Sequence, residues 1–198
     1  MEIILASKSP RRREIIEHLG LNVRVMVSGA DESGIHNPEP EKLTEELSLI
    51  KAQAVLPDAL QRYGSDTLVI ASDTVVYAGG EILGKPKGRS DAFRMLHLLS
   101  GSLHSVVSGI AVVYKGRTVT AHETTSVKFR ALSDTEIERY INSGEPFDKA
   151  GGYGIQDGAS VFIERIDGDY FNVVGLPVYR LFSVLRESFG LDFFELRG

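Results

Sequence analysis

Ile3-Ile4-Leu5-Ala6-Ser7-Lys8-Ser9-Pro10-Arg11-Arg12-Arg13 is the stretch from which the fold of this 198-residue chain is read. An apolar run of strand length leads straight into a helix. Pro10 suits the first helical position, where its missing N–H costs nothing and its φ is already helical. Ser9 is then the expected N-cap. Backbone N–H groups, a helix dipole and arginine forks converge on one spot, which suits an anion such as phosphate. The same residues also read as a capped helix with solvated arginines.

Outward from this unit, strands and helices alternate. Pro10–Leu19 reads as a helix ended by Gly20, and Asn22–Val27 as a second strand. From Pro40 a helix carries Leu43, Leu47, Ile50 and Ala54 at three- and four-residue spacing, and Pro57 is expected to break or kink it. Thr67–Ala71 reads as a strand buried on both faces. Val75–Tyr77 and Glu81–Leu83 flank Gly79-Gly80 as a hairpin, and Ser105–Tyr114 and Thr118–Phe129 form another around Lys115-Gly116. Helices are expected over Asp91–Leu99, capped by Ser90, after the Ser133–Glu136 capping box, and from Pro177 to Phe189; Ser160–Ile166 reads as a strand. Hairpins together with helical crossovers predict an α/β fold with a mixed sheet, in one domain over 1–198.

Composition narrows the function. With 42% hydrophobic and 25% charged residues the chain can bury a full core. A formal charge of −5 argues against a general nucleic-acid binder, yet local arginines or a divalent metal can still hold phosphate on an acidic protein. The absence of cysteine excludes disulfides, thiolate catalysis and cysteine-ligated metals. No segment reads as a signal peptide, and no apolar run approaches the roughly 20 residues that span a bilayer, so a cytoplasmic protein is expected. There is no Walker loop, no Rossmann fingerprint after a strand and no nucleophile elbow. The five histidines show no metal-ligand spacing.

Several residues have chemistry to offer. Asp73, in Ala71-Ser72-Asp73-Thr74, is expected at the C-terminal end of the most apolar strand, the end that faces the ligand crevice in open α/β sheets. A carboxylate there can hold a divalent metal or orient a water. Asp31-Glu32 opens a polar loop and could supply a second hard-oxygen donor. Lys51 on the long helix and Lys85 in Gly84-Lys85-Pro86 are candidate point charges for phosphate oxygens. In Asp148-Lys149-Ala150-Gly151-Gly152-Tyr153-Gly154-Ile155-Gln156, three glycines would let the backbone approach a ligand. Gln156 offers a donor and an acceptor for a base edge. His104, just before a β segment, is a weaker candidate.

These segments, with Asn172-Val173-Val174-Gly175-Leu176-Pro177, resemble the Maf family of nucleoside triphosphate pyrophosphatases, in order over nearly the whole chain. The resemblance implies an elongated, two-lobed mixed α/β fold with a central groove, like that of the inosine-triphosphate pyrophosphatases. It implies cleavage between the α- and β-phosphates of dTTP and UTP, extending to modified pyrimidine nucleotides, as house-cleaning of the nucleotide pool. Asp73 would be the proton acceptor, with Ser7, Arg12, Glu32, Lys51 and Lys85 handling phosphate and metal. Arg11, Thr74 and Gln156 fall on positions tied to base selection, with Ser9, Asp148 and Lys149 also expected to contact substrate. Glu32 and Asp73 would hold Mg2+ or Mn2+. A homodimer is implied, without nucleic acid or membrane as partner, together with a link to arrest of septum formation. A nucleotide-sensing protein that regulates division is the rival class, and 7-methyl-GTP or inosine-type triphosphates are the rival substrates.

Overall fold

A computed structural model of the chain describes residues 1–197. The elements run β1 (Glu2–Leu5), α1 (Pro10–His18), β2 (Arg24–Val25), α2 (Pro40–Tyr63), β3 (Thr67–Ala78), β4 (Glu81–Leu83), α3 (Arg89–Leu99), β5 (Leu103–Tyr114), β6 (Arg117–Phe129), α4 (Asp134–Asn142), β7 (Ile163–Asp167), α5 (Tyr170–Val174), α6 (Val178–Phe189) and α7 (Phe193–Leu196). Among the described residues seven strands form one mixed sheet in the order β2-β1-β3-β5-β6-β7, with β4 paired to β3. β1 is parallel to β2 and β3; the β3–β5, β5–β6 and β6–β7 pairs are antiparallel.

Strand alternation divides the core. Ile3, Leu5, Leu68, Ile70, Ile110 and Val112 pack with α1 and α6 through Ile15, Ile16, Leu181 and Leu185. Their alternates Ile4, Ala6, Val69, Ala71, Ala111 and Val113 lie under Ala52, Val55 and Ala59 of α2. A third cluster, beyond the middle of β3, joins Val76, Leu83, Leu96, Phe129 and Ile137 through α3 and α4.

α2 departs from its expected packing in two ways. It runs unbroken through Pro57, which faces solvent, so water can meet the Gln53 carbonyl that the proline leaves unbonded. Its buried ridge is Thr44, Ser48, Ala52, Val55 and Ala59, not the line of larger apolar residues. The hydroxyls can be buried because they bond within their own helix: Thr44 Oγ1 donates to Pro40 O (2.9 Å), and Ser48 Oγ reaches Thr44 O at 2.6 Å. Small side chains bring the helix axis close to the sheet. At Gly109 of β5 a Cβ would run into the Thr44 carbonyl.

β3 is one continuous strand of twelve residues, so Asp73 lies in its middle, not at a strand end. Other boundaries shift as well. α3 starts at Arg89 with Gly88 as its N-cap, so Ser90 lies inside the helix. The second strand shortens to two residues, Ser160 falls in a 3-10 turn, and α5 was not anticipated. The capping box at Ser133 forms, with Ser133 and Glu136 exchanging bonds.

Candidate functional site

The cleft arises from a gap in pairing along one edge of β3. β1 accompanies β3 as far as the Leu5–Ile70 pair, where the Ala6 N–H donates to Ile70 O (2.8 Å). β4 joins the same edge only from Val76. Between them, Ala71–Val75 are held by β5 alone. The start of α1, the loop carrying Glu32, α2, Gly84-Lys85 and the glycine-rich segment close around this edge, enclosing about 850 Å³. That volume is within the range of small-molecule sites. Twelve of the nominated residues line it: Ser7, Ser9, Arg11, Arg12, Glu32, Lys51, Asp73, Thr74, Lys85, Asp148, Lys149 and Gln156; His104 and Asp31 do not, and the Asp31 carboxylate accepts from Ser33 instead.

The two faces of the strand supply different groups. Asp73 continues the alternation of Val69 and Ala71, so it points toward α2. There Lys51 Nζ donates to Asp73 Oδ1 and lies 3.4 Å from Glu32 Oε2. Gly109, the β5 partner of Asp73, lets α2 settle at this level. Ser48 Oγ lies 3.0 Å from Gly109 O. The two carboxylates on Lys51 are hard oxygen donors of the kind Mg2+ or Mn2+ takes. Among the described residues no group of three or more His, Asp or Glu could hold a metal. A cation here would complete its shell with ligand oxygens and water, as Mg2+ commonly does.

Thr74 points to the other face, toward Arg12. The guanidinium donates from Nε to Gly175 O (2.7 Å), from Nη2 to Thr74 Oγ1 (3.0 Å) and from Nη1 to Ser7 Oγ (3.4 Å). All three acceptors are neutral. Removal from water lowers its pKa, with Asp73 pulling the other way. Ser9 occupies the N-cap position but makes no side-chain capping bond; Ser7 Oγ accepts from the Ser9 N–H instead (3.1 Å). The first-turn amides of α1 are therefore left for a ligand.

At the cleft mouth Arg11 Nη1 meets Asp148 Oδ2 at 3.2 Å. Burial works to raise the Asp148 pKa, but bonds from Lys149 and Arg11 outweigh it and hold it low. Lys149 is buried, and its ammonium is spent inside the loop on Glu145 O (2.7 Å), Asp148 Oδ1 (2.7 Å) and Asp157 Oδ2 (3.2 Å). Lys149 thus braces the loop from within while also lining the cleft. The loop glycines are also explained by the protein itself. A Cβ on Gly151, at φ +66°, would strike Val76, and one on Gly154 would strike Lys149 and Asp157. Lys85 and Gln156 are exposed, and among the described residues Lys85 has no ion pair. His104 lies within β5, buried, with Nε2 2.8 Å from Tyr153 Oη.

Ser108, Gly109, Asn172 and the Gly175 carbonyl were missed as site-forming residues. Asn172 and Gly175 belong to a motif quoted from the sequence, but nothing in it signals that the Gly175 carbonyl holds Arg12 and the Asn172 carbonyl holds Ser108.

Fold and cleft together define a mixed-sheet α/β protein with a basic, carboxylate-bearing site for an anionic ligand. The chain belongs to the family described as Maf-like protein, which it matches over residues 2–188. A dTTP/UTP pyrophosphatase of Thermosipho africanus is 48% identical over 97% of this chain and 96% of its own length. Another, from Alkaliphilus metalliredigens, is 45% identical over 96% of this chain and 97% of its own. A Bacillus cereus protein of the same name is 44% identical over 96% and 97%. The solved structure of the Staphylococcus aureus Ham1 protein aligns over 65% of this chain and 72% of its own, at 17% identity and a TM-score of 0.45. Among the described residues no helix is long and apolar enough to cross a membrane.

Proposed function

We propose that this chain is a pyrophosphatase that hydrolyses dTTP and UTP to the nucleoside monophosphate and pyrophosphate. The observation that carries the proposal is the arrangement at the open edge of β3. Asp73 on one face and Arg12 on the other border a single cleft of nucleotide size. The names of relatives 44–48% identical over their full length support the choice of nucleotides.

In this reading the triphosphate lies across the edge of β3. Arg12 and the first-turn amides of α1 hold phosphate oxygens, and Lys85, which also lines the cleft, adds a further positive charge. Lys51 occupies Asp73 Oδ1, which leaves Oδ2 to orient a water and take its proton as the water oxygen bonds to the α-phosphorus. The bond from that phosphorus to the bridging oxygen breaks, and pyrophosphate departs with the electron pair. The cations stabilise the charge that gathers on it. Glu32 and Asp73 would hold a divalent cation, Mg2+ or Mn2+, which when bound neutralises phosphate charge and polarises the phosphoryl group; Asp73 is not required to be metal ligand and proton acceptor in the same step. Arg11 and Gln156, which also line the cleft, are the groups this reading assigns to the base. A homodimer and a cytoplasmic location are part of the same proposal, on the family resemblance.

The test is a panel of dTTP, UTP, CTP, GTP, ITP and 7-methyl-GTP with magnesium, reading monophosphate and pyrophosphate together. Selective release from dTTP and UTP that disappears in Asp73→Asn is the expected result. Preferential cleavage of a purine would overturn the assignment of substrate, and no cleavage would overturn the activity.

A further inference from the structure

We infer that Thr74 is a positioning residue for Arg12, acting through a buried chain that ends on Asn172, and that its hydroxyl does not read the base. The inference rests on the phosphate role proposed for Arg12. It differs from the base-selecting part that the family resemblance gives Thr74.

Thr74 and Ser108 are direct partners across β3 and β5, so their side chains share a face. Their oxygens are 2.8 Å apart. Ser108 Oγ donates to Asn172 O at 2.9 Å, which commits its only hydrogen. The Thr74 hydrogen then has two acceptors in reach, Ser108 Oγ at 2.8 Å and Gly175 O at 3.4 Å, and the shorter contact takes it; either way it is spent inside the protein. With that hydrogen spent, Thr74 Oγ1 faces Arg12 as an acceptor, and Nη2 donates to it at 3.0 Å. The order of donors is Arg12 to Thr74 to Ser108 to the Asn172 carbonyl. No hydrogen remains on Thr74 for a base carbonyl.

The far end of the chain is fixed. Ser108 and Asn172 are both 0% exposed. Asn172 Nδ2 donates to Val106 O at 2.9 Å and to Thr125 Oγ1 at 3.0 Å, tying α5 to β5 and β6. Gly175, just after α5, offers its carbonyl to Arg12 Nε (2.7 Å) and to Ser72 Oγ (3.0 Å). One short helix thus orients the guanidinium fork at two points, directly through Gly175 and indirectly through Ser108 and Thr74. A half-buried arginine held only by neutral oxygens would otherwise turn toward water or toward the carboxylates across the cleft. The chain of hydroxyls keeps its remaining donors on the phosphate path.

Inorganic pyrophosphate tests this, because it has phosphates and no base. Inhibition of dTTP hydrolysis by pyrophosphate is measured for wild type, Thr74→Val, Thr74→Ser and Ser108→Ala, each also combined with Arg12→Lys. Thr74→Val and Ser108→Ala are expected to weaken pyrophosphate binding about tenfold and to lower kcat/KM by one common factor for dTTP, UTP and CTP. Thr74→Ser should restore both. In the Arg12→Lys background the Thr74→Val loss should shrink to less than about twofold. Unchanged pyrophosphate binding with an altered ranking of the nucleotides would overturn the inference and return Thr74 to base reading. Multiplying losses with Arg12→Lys would overturn it as well. If Thr74→Val does not fold, as judged by thermal unfolding, Ser108→Ala carries the same comparison. A wild-type protein that cleaves no triphosphate defeats the proposed function instead, and direct calorimetric binding of pyrophosphate then decides the inference alone.

Discussion

Asp73 and Thr74 are neighbours in sequence, yet the two faces of β3 on which they stand handle charge in opposite ways. On the α2 face, Asp73 and Glu32 share the ammonium of Lys51, so two carboxylates have one counter-ion within the protein and one negative charge is left over. On the α5 face, the Arg12 guanidinium meets three neutral oxygens and no carboxylate. A charge taken out of water without a counter-ion is costly. Such a charge is suited to an anion that arrives from the cleft. The first face is arranged to act on a water and the second to hold phosphate. The unpaired edge of β3 lets one ligand touch both.

The comparison breaks most severely at Asp73. Asp73→Asn keeps the shape and a bond to Lys51 but removes the proton acceptor, and kcat should fall about 10³-fold. Pyrophosphate binding, which belongs to the other face, should change little. A variant that keeps more than a tenth of wild-type turnover would rule Asp73 out as the acceptor. Gly109→Ala attacks the same face from behind. Its methyl group would meet the backbone of α2 at Thr44, and overpacking of that kind should cost about 3 kcal/mol in chemical denaturation. Lys51 rides on α2, so turnover should fall with stability. Full stability would show that α2 can retreat without strain.

The sequence makes one of these faces easier to read than the other. Ser7 to Arg12 announces itself through an apolar run, a proline at the helix start and a basic cluster, and the structure opens that turn onto the cleft. The Ser133–Glu136 box and the Gly79-Gly80 hairpin are similarly local, so they too are legible. Asp73 is different. Asp is depleted in strands, so Asp73 reads as the end of the strand even though a β-forming Thr follows, but pairing with β5 carries β3 straight through it. The contact face of α2 is hidden for another reason. Periodicity weighs large apolar residues, whereas this helix approaches through Thr44, Ser48 and Ala52, whose value lies in being small. Gly109 sits unremarked inside an apolar run. The hold of α5 on Arg12 uses backbone oxygens from the other end of the chain, which no local pattern encodes.

Arg12→Lys addresses the second face. The change keeps the charge and loses the fork, so the ammonium can no longer span Gly175, Thr74 and Ser7. The expected loss is about 100-fold in kcat/KM, shared by every triphosphate. A lysine variant with near wild-type activity would mean that Arg12 contributes charge alone.

A smaller effect, read in stability instead of turnover, asks whether the α5 face tolerates any other cation away from bulk water. His104 lies on the same side of β5 as Ser108, at 3% exposure. It meets Tyr153 Oη and the rings of Phe129 and Tyr153, and its Nδ1 has no partner among the described residues. Burial pulls its pKa down from 6.5 to about 4, and the same burial raises that of Tyr153. Between these two values the unfolded chain binds a proton that the folded chain refuses, so stability falls as pH drops through this window and the effect levels off below it. From pH 7 to pH 5 the loss should be about 2 kcal/mol, taking 1.36 kcal/mol per pKa unit. Denaturant titrations of wild type and His104→Gln at both pH values isolate it, because glutamine can bond Tyr153 without titrating. Equal pH slopes in the two proteins would show that His104 does accept a proton in place. The α5 face would then hold a second cation away from bulk water, and the neutral surroundings of Arg12 would no longer set it apart.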